Sequence, residues 1–477
     1  MSWIDYVIII VFMGGVFVAG TLLGRGVKDV KGYFSANNNL PWWAVMLSIV
    51  AAETSVLTFL SIPGLAYLGN FSFLQVCIGY IVGRIIISFV LLPMYSQGKF
   101  ITVYQAITEK AGISMQRIMS ITFMGTRLLA DGVRLFAVAI PLSMITNLTF
   151  MQSIWILGIV TIIYTWFGGI KAVVWMDVVQ WGIYISAAFI ALYVGAKLLP
   201  DFSASLANVI EQGKTQIFDF KFSLKGYNVY SGLIGGAMLS MASHGTDQLI
   251  VQRVLSCKNL EDSKKALIGS GIVVFFQFAL FLVIGLMMYM VWNGVGLEAL
   301  GLQKPDALFT KFIIENLPPV VKGITVAGIF AAAMSTLSGS LSGLSSATTI
   351  DIVKPLLKQE IDDKKMLHFG RIATLSWGIF MVGGASLFRN MNNPLVEIGL
   401  SIASFTYGGM LGVFMLVRFF KKLDTWQYAV SFFGTIITMV FVIKFSEIHW
   451  TWFVLIGVLM TLIIEQITVL GKRIFGK

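Results

Sequence analysis

Long apolar stretches, each closed by a short polar or basic loop, follow one another along almost the whole chain. By the rule that about 20 apolar helical residues cross a hydrocarbon layer, the pattern predicts 13 spans, at roughly 3–23, 41–68, 72–96, 117–146, 150–168, 173–198, 229–255, 266–293, 323–350, 370–388, 395–417, 426–444 and 450–470. The expected fold class is an all-α polytopic membrane protein, with residues 1–477 as one transmembrane domain. Two spans are interrupted by polar and small residues, 41–68 by "TSVLTFLSIPG" and 229–255 by "SGLIGGAMLSMASHGTDQ". Residues 41–198 and 229–417 can be overlaid as two five-helix units that enter the membrane from opposite sides. In this layout 3–23 is an extra N-terminal helix and 426–470 supplies two extra C-terminal helices. Paired broken helices at matching positions of inverted repeats point to a midplane site in a secondary transporter.

Charge sets the orientation. Of the 34 Lys and Arg residues, 22, with Arg253 among them, fall to loops on one side and 9 to the other, while Arg84, Arg127 and Arg134 lie inside spans. The positive-inside bias puts the N-terminus outside and the C-terminus in the cytoplasm. Only 12% of residues are charged and 57% are hydrophobic, so the net charge of +11 reads as topology signal rather than as a nucleic-acid surface. Cys77 and Cys257 give no disulfide framework, and His244, His368 and His449 are too scattered for a metal cluster. The start has no basic n-region and reads as a retained helix.

Polar residues inside the spans carry the candidate chemistry. Glu53, Thr54, Ser55 and Thr58 precede Pro63-Gly64, and a proline frees a carbonyl one turn earlier. Carbonyls and hydroxyls together suit a hard monovalent cation, although a plain proline kink with back-bonded hydroxyls fits equally. The stretch "AAAMSTLSGSLSGLSSATTID" puts Ala332, Ser335 and Thr336 at i, i+3, i+4 on one face. Its remaining serines suit close helix packing. Arg127, Asp131 and Arg134 form a charged stripe. If Asp131 pairs with one arginine, the other is left to hold a carboxylate; the alternative is an ion-pair lock between helices. Asp177 is expected near the cytosolic interface, and Arg84 has no assignment.

The motifs "GGIKAVVWMDVVQ", "GTDQLIVQRVL" and "GIFAAAMSTLSGSLSGLSSATTIDI" together resemble the sodium:solute symporter family over nearly the whole chain. The resemblance implies a five-plus-five inverted-repeat, LeuT-like fold working by alternating access. It implies a main Na+ site from the carbonyls of Ala51, Thr54 and Ala332 with the hydroxyls of Ser335 and Thr336. It matches Asp177 and Ser338 to a second sodium site found in some bacterial members; Gly339 lacks the hydroxyl expected there, and Asp177 alternatively serves the route of ion release. Alignment with the sialic acid branch puts Ser55 and Thr58 at solute-contacting positions. That branch's carboxylate-binding arginine falls at Ala130, flanked by Arg127 and Arg134, and its glutamine falls at Cys77, with Gln75 nearby. Ser243 completes the expected solute set, and the sugar-carrier pattern is not reproduced at Ser240 and Ser243.

The function expected is therefore Na+-coupled import of a small polar organic solute, a carboxylate or zwitterion before a neutral sugar. The partners are that solute and the lipid bilayer, with no nucleic acid, a monomer as the default state, and the bacterial cytoplasmic (inner) membrane as location. A sodium/sugar symporter and an uncoupled channel or sensor on the same scaffold are the rivals. With no acid-base-nucleophile set and no nucleotide loop, a membrane enzyme ranks last.

Overall fold

The computed structural model describes the chain except residues 97, 99, 146–147, 358–361, 386–394, 421–422 and 476–477, and the side chains of 140, 144, 395–400 and 475. The principal helices are α1 (Trp3–Leu23), α2 (Trp42–Glu53), α3 (Val56–Leu68), α4 (Leu74–Val90), α5 (Thr108–Ile145), α6 (Phe150–Lys197) and α7 (Gly236–Gly245). They continue as α8 (Gln248–Leu255), α9 (Leu260–Val291), α10 (Val321–Ala347), α11 (Asp363–Gly384), α12 (Leu395–Phe419), α13 (Thr425–Phe445) and α14 (Phe453–Phe475). Among the described residues an isolated bridge between Leu40 and Cys257 is the only extended pairing.

Seven described helices are long and apolar enough to cross a membrane, or eight if α2 and α3, bent by 62°, count as one. The difference from the expected 13 has physical causes. The 48-residue α6 covers two expected spans, α4 has only 17 residues, and α5 carries the Arg127, Asp131 and Arg134 charges. The expected span 370–388 runs into undescribed residues, as do the start of 395–417, Lys99, Lys358, Arg389, Lys421, Lys422 and Lys477.

Within α6 the backbone breaks at Gly169, with φ of 55° and ψ of −159°. A Cβ there would lie 2.4 Å from the Tyr33 carbonyl oxygen, so both the left-handed φ and the close approach require glycine. The Tyr33 hydroxyl lies 3.2 Å from the carbonyls of Thr165 and Trp166, next to the break.

The interruption expected over "TSVLTFLSIPG" in span 41–68 falls at the first two residues of that stretch, Thr54–Ser55. Thr54 leaves the helix at φ −82°, ψ 82°, and extended Ser55 caps α3 by accepting from Leu57 N at 3.2 Å. Pro63 is carried inside α3, where its carbonyl meets α9 so closely that a Cβ at Gly285 would approach it to 2.2 Å. The second broken helix runs through a π segment, Ser231–Gly235, into α7, then breaks at Thr246 before Asp247 caps α8.

Helix α10 lies at the centre, with 94% of its most apolar window buried. Its Ala, Gly and Ser residues let neighbours approach on every side. Its first turn is tied to α1: Asp5 Oδ1 accepts from Val320 N at 2.9 Å and Gly323 N at 3.0 Å, while Oδ2 accepts from Ser2 N at 2.7 Å. A buried carboxylate at a helix N-terminus satisfies donors that the helix leaves open.

Candidate functional site

The break between α2 and α3 faces α10. The Ser335 hydroxyl lies 2.9 Å from the Ala51 carbonyl and 3.1 Å from the Ala332 carbonyl. Thr336 Oγ1 is 3.2 Å from the same Ala332 carbonyl. Thr54 is fully buried beside them, its hydroxyl in contact with Gln277 Nε2. Trp181 Nε1 donates to Gln277 Oε1 at 2.9 Å, which orients the amide with its nitrogen toward Thr54. Ala51, Ala332, Ser335 and Thr336 thus gather neutral hard oxygens in one dry place, a donor set suited to Na+.

Next to this junction lies a cavity with about 790 Å³ of free space, its open mouth included. Ser55, Thr58, Arg127, Arg134 and Ser243 all line it, as does Glu53. A smaller cavity beside it is lined by Ser55, Asp131, Arg134 and Thr336, the last on the hydroxyl face of α10. Gln75 does not belong to this set. Its Nε2 donates to the Ser72 carbonyl at 3.1 Å and its Oε1 accepts from Asp219 N at 3.3 Å, so it braces the loop before the second broken helix.

The arginines of the cavity are paired. Arg127 Nη2 lies 3.0 Å from Asp247 Oδ2, and Arg127 Nη1 lies 3.6 Å from Asp131 Oδ1. Arg134 Nη1 donates to Asp131 Oδ1 at 2.8 Å. The Tyr407 hydroxyl joins on Asp247 Oδ2. On the opposite partner set, Arg84 contacts Glu53 and donates to Ser270 Oγ at 2.7 Å, while His244 Nε2 lies 3.5 Å from Glu53 Oε2. The surplus arginine expected from the α5 stripe is therefore taken up by Asp247. Arg84, Arg127 and Arg134 meet Glu53, Asp131 and Asp247, so the charges balance while His244 is neutral.

Asp177 is not at an interface but fully buried, with Oδ2 accepting from Ser48 Oγ at 2.5 Å and Arg253 Nη2 at 2.9 Å. Arg253, counted above as a loop charge, is equally buried. Ser338 turns its hydroxyl onto the Ser335 carbonyl at 3.1 Å. Sequence reasoning missed the partnerships of Glu53, Asp247 and Arg253. The available signal was charge bookkeeping: a buried arginine such as Arg84 demands a carboxylate.

The profile of the Sodium:solute symporter family matches residues 33–426. This chain is 25% identical over 481 residues to the sodium/sialic acid symporter NanT of Aliivibrio fischeri, covering 98% of this chain and 92% of that protein. It is 26% identical over 446 residues to the human sodium-coupled monocarboxylate transporter 2, covering 92% and 71%. Among solved structures, a substrate-bound outward-open Na+-coupled sialic acid symporter superposes with a TM-score of 0.89 at 22% identity, covering 98% of each chain. The nucleobase-cation-symport transporter Mhp1, closed with bromovinylhydantoin bound, gives 0.55 at 13% identity over 94% of this chain. The fold is that of the Na+-coupled sialic acid symporter's structure. The chain belongs to the sodium:solute symporter family, a family of transporters and not enzymes, and Na+ is its coupling ion.

Proposed function

We propose that this protein imports a small zwitterionic solute together with Na+ by alternating access. The cation is held by the carbonyls of Ala51, Thr54 and Ala332 and the hydroxyls of Ser335 and Thr336. The observation that carries the ion site is the 2.9 Å contact between Ser335 Oγ and the Ala51 carbonyl across the helix break. Because Gln277 engages the Thr54 hydroxyl, Thr54 contributes through its carbonyl. Binding there joins α2 to α10 and fixes the break beside which Ser55 and Thr58 face the solute cavity. The wider frame is the expected one: 13 spans in two inverted repeats, 41–198 and 229–417, N-terminus outside, C-terminus in the cytoplasm of a bacterium, in the inner membrane.

The lining of the cavity supports a zwitterion, because Arg134 and Glu53 both face it. Arg127 and Arg134 are matched by Asp131 and Asp247, and Glu53 by Arg84. A solute carrying one carboxylate and one ammonium adds no net charge, and it offers its carboxylate to Arg134 and its ammonium to Glu53. The NanT and monocarboxylate relatives are named for anionic solutes, so the solute proposed here departs from theirs.

Proteoliposomes with an inward Na+ gradient, screened with zwitterionic amino acids and betaines, monocarboxylates, sialic acid and neutral sugars, test both parts. Saturable uptake of a zwitterion that collapses when K+ replaces Na+ is expected. Uptake indifferent to that replacement would sink the symport reading in favour of an uncoupled channel, and selective uptake of a monocarboxylate or a sugar would sink the zwitterion.

A further inference from the structure

Residues Ser48, Asp177, Arg253 and Gly339 meet on four different helices, α2, α6, α8 and α10, just beyond the candidate ion junction. Arg253 is fully buried and uses each of its guanidinium nitrogens. Nη2 is 2.9 Å from Asp177 Oδ2, Nε is 2.8 Å from Ser48 Oγ, and Nη1 is 2.6 Å from the Leu249 carbonyl. Gly339 makes the room. A Cβ at that position would lie 2.4 Å from Nη2, 2.9 Å from Nη1 and 3.0 Å from Cζ. Any side chain on Gly339, a serine included, would drive the guanidinium off the carboxylate.

From this we infer that Arg253 is a tethered cation standing where a second coupling sodium would need Asp177, so that this transporter couples through one sodium. The inference rests on the sodium reading of the Ala51–Ser335 junction given above. The Asp177–Arg253 pair is already neutral, and a sodium ion added to it would bring an uncompensated charge into a fully buried place. Asp177 Oδ1 is left without a hydrogen-bond partner among the described residues. In a neutral pair that oxygen lacks one hydrogen-bond donor, not a charge. Ser338, the hydroxyl at the same level of α10, donates to the Ser335 carbonyl at 3.1 Å.

The placement also fixes what the tethered cation does. Ser48 lies three residues before Ala51 on α2, and Gly339 four residues after Ser335 on α10. The guanidinium therefore ties α2 to α6 one turn further along from the ion junction, with α10 packed against it at Gly339. A mobile second ion would leave with each transport cycle, whereas a side chain holds its helices together in every cycle.

Binding of 22Na+ to the purified full-length protein, counted per protein at saturation, tests this with sodium alone as the probe. The wild type is expected to bind one sodium with a Hill coefficient of one. Arg253→Gln, which frees Asp177, is expected to gain a second sodium, and the charge-neutral double variant Arg253→Gln/Asp177→Asn to return to one. Two sodium ions on the wild type, one of them lost in the double variant, would overturn the inference while leaving the Ser335 site intact. A folded Arg253→Gln that still binds one sodium overturns it as well, because no site was being filled. If Arg253→Gln does not fold, the wild-type count and the double variant decide alone. A wild type whose sodium survives Ser335→Ala but not Asp177→Asn overturns the junction reading and this inference together.

Discussion

Ser335 on α10 and Ala51 on α2 are joined hydroxyl to carbonyl at 2.9 Å, across the point where α2 gives way to α3. The contact separates Ser335 from Ser345 on the same helix. Ser345 only bonds back to the Ser342 carbonyl at 3.1 Å, a local habit of serine in helices. Ser335→Ala is accordingly expected to raise the sodium concentration for half-maximal uptake at least tenfold, which corresponds to about 1.4 kcal/mol of binding. Ser345→Ala should leave it within twofold. Sodium titrations of solute uptake measure both, and equal effects of the two substitutions would refute the assignment.

Arg127 is the shared cation of two carboxylates, so removing it is expected to cost more than removing either partner. Arg127→Gln leaves Asp247 and Asp131 with Arg134 alone, and a broken buried pair typically costs about 3–5 kcal/mol. Arg127→Gln/Asp247→Asn should recover much of that loss, because both charges go together. Thermal unfolding in detergent gives the stabilities, and a double variant no more stable than the single one would contradict the pairing. Tyr407→Phe removes only one donor to Asp247 and should cost about 1–3 kcal/mol at most.

Helix α4 lies on the second broken helix backbone against backbone. A Cβ at Gly79 would come within 2.3 Å of the Gly232 carbonyl oxygen, and one at Gly83 within 2.3 Å of the Ala237 carbonyl oxygen. Gly83→Leu should force the helices apart and destabilise by about 1–3 kcal/mol or more, the usual range for overpacking. Gly125→Leu, where a Cβ meets nothing within 4 Å, is the control expected to stay near wild type. Melting temperatures compare the two.

Acid should loosen the connection formed by residues 446–452. Burial against the Tyr227 and Trp450 rings pulls the His449 imidazole down from 6.5 to about 4. Between those values the unfolded chain binds the proton and the folded chain does not, so stability is full above about 6.5 and falls as pH drops toward 4. Lys225 and Glu447, paired nearby, are exposed and screened. His449→Gln is expected to flatten the fall in melting temperature between pH 6.5 and 4.5; an unchanged slope would remove His449 as its source.

What could be read from the chain follows from the range of the interactions. Apolar runs report on lipid and neighbours together, so α1, α13 and α14 were legible, and the expected span 117–146 falls within α5 although that helix carries three charges. Ala332, Ser335 and Thr336 were legible because one helical turn relates them. The interrupted stretch 54–64 was legible, but not which of its residues carries the break, because a proline marks a lost donor whereas the break at Thr54–Ser55 faces Ser335 of α10. Glu53 with Arg84, and Asp177 with Arg253, join residues 31 and 76 positions apart on different helices, and no periodicity encodes such a meeting. Arg253 read as a loop charge because its motif sits beside a basic loop, although it is buried.

The hydrogen bonds from Val320 and Gly323 to Asp5 span 315 and 318 positions of sequence. During synthesis α1 must therefore enter the membrane long before the backbone amides that finish its anchorage exist. Until α10 is made, the Asp5 carboxylate has only Ser2 and water to satisfy it. The bond thus acts as a completion seal, closing the first helix onto the central one only when more than half of the chain has been inserted.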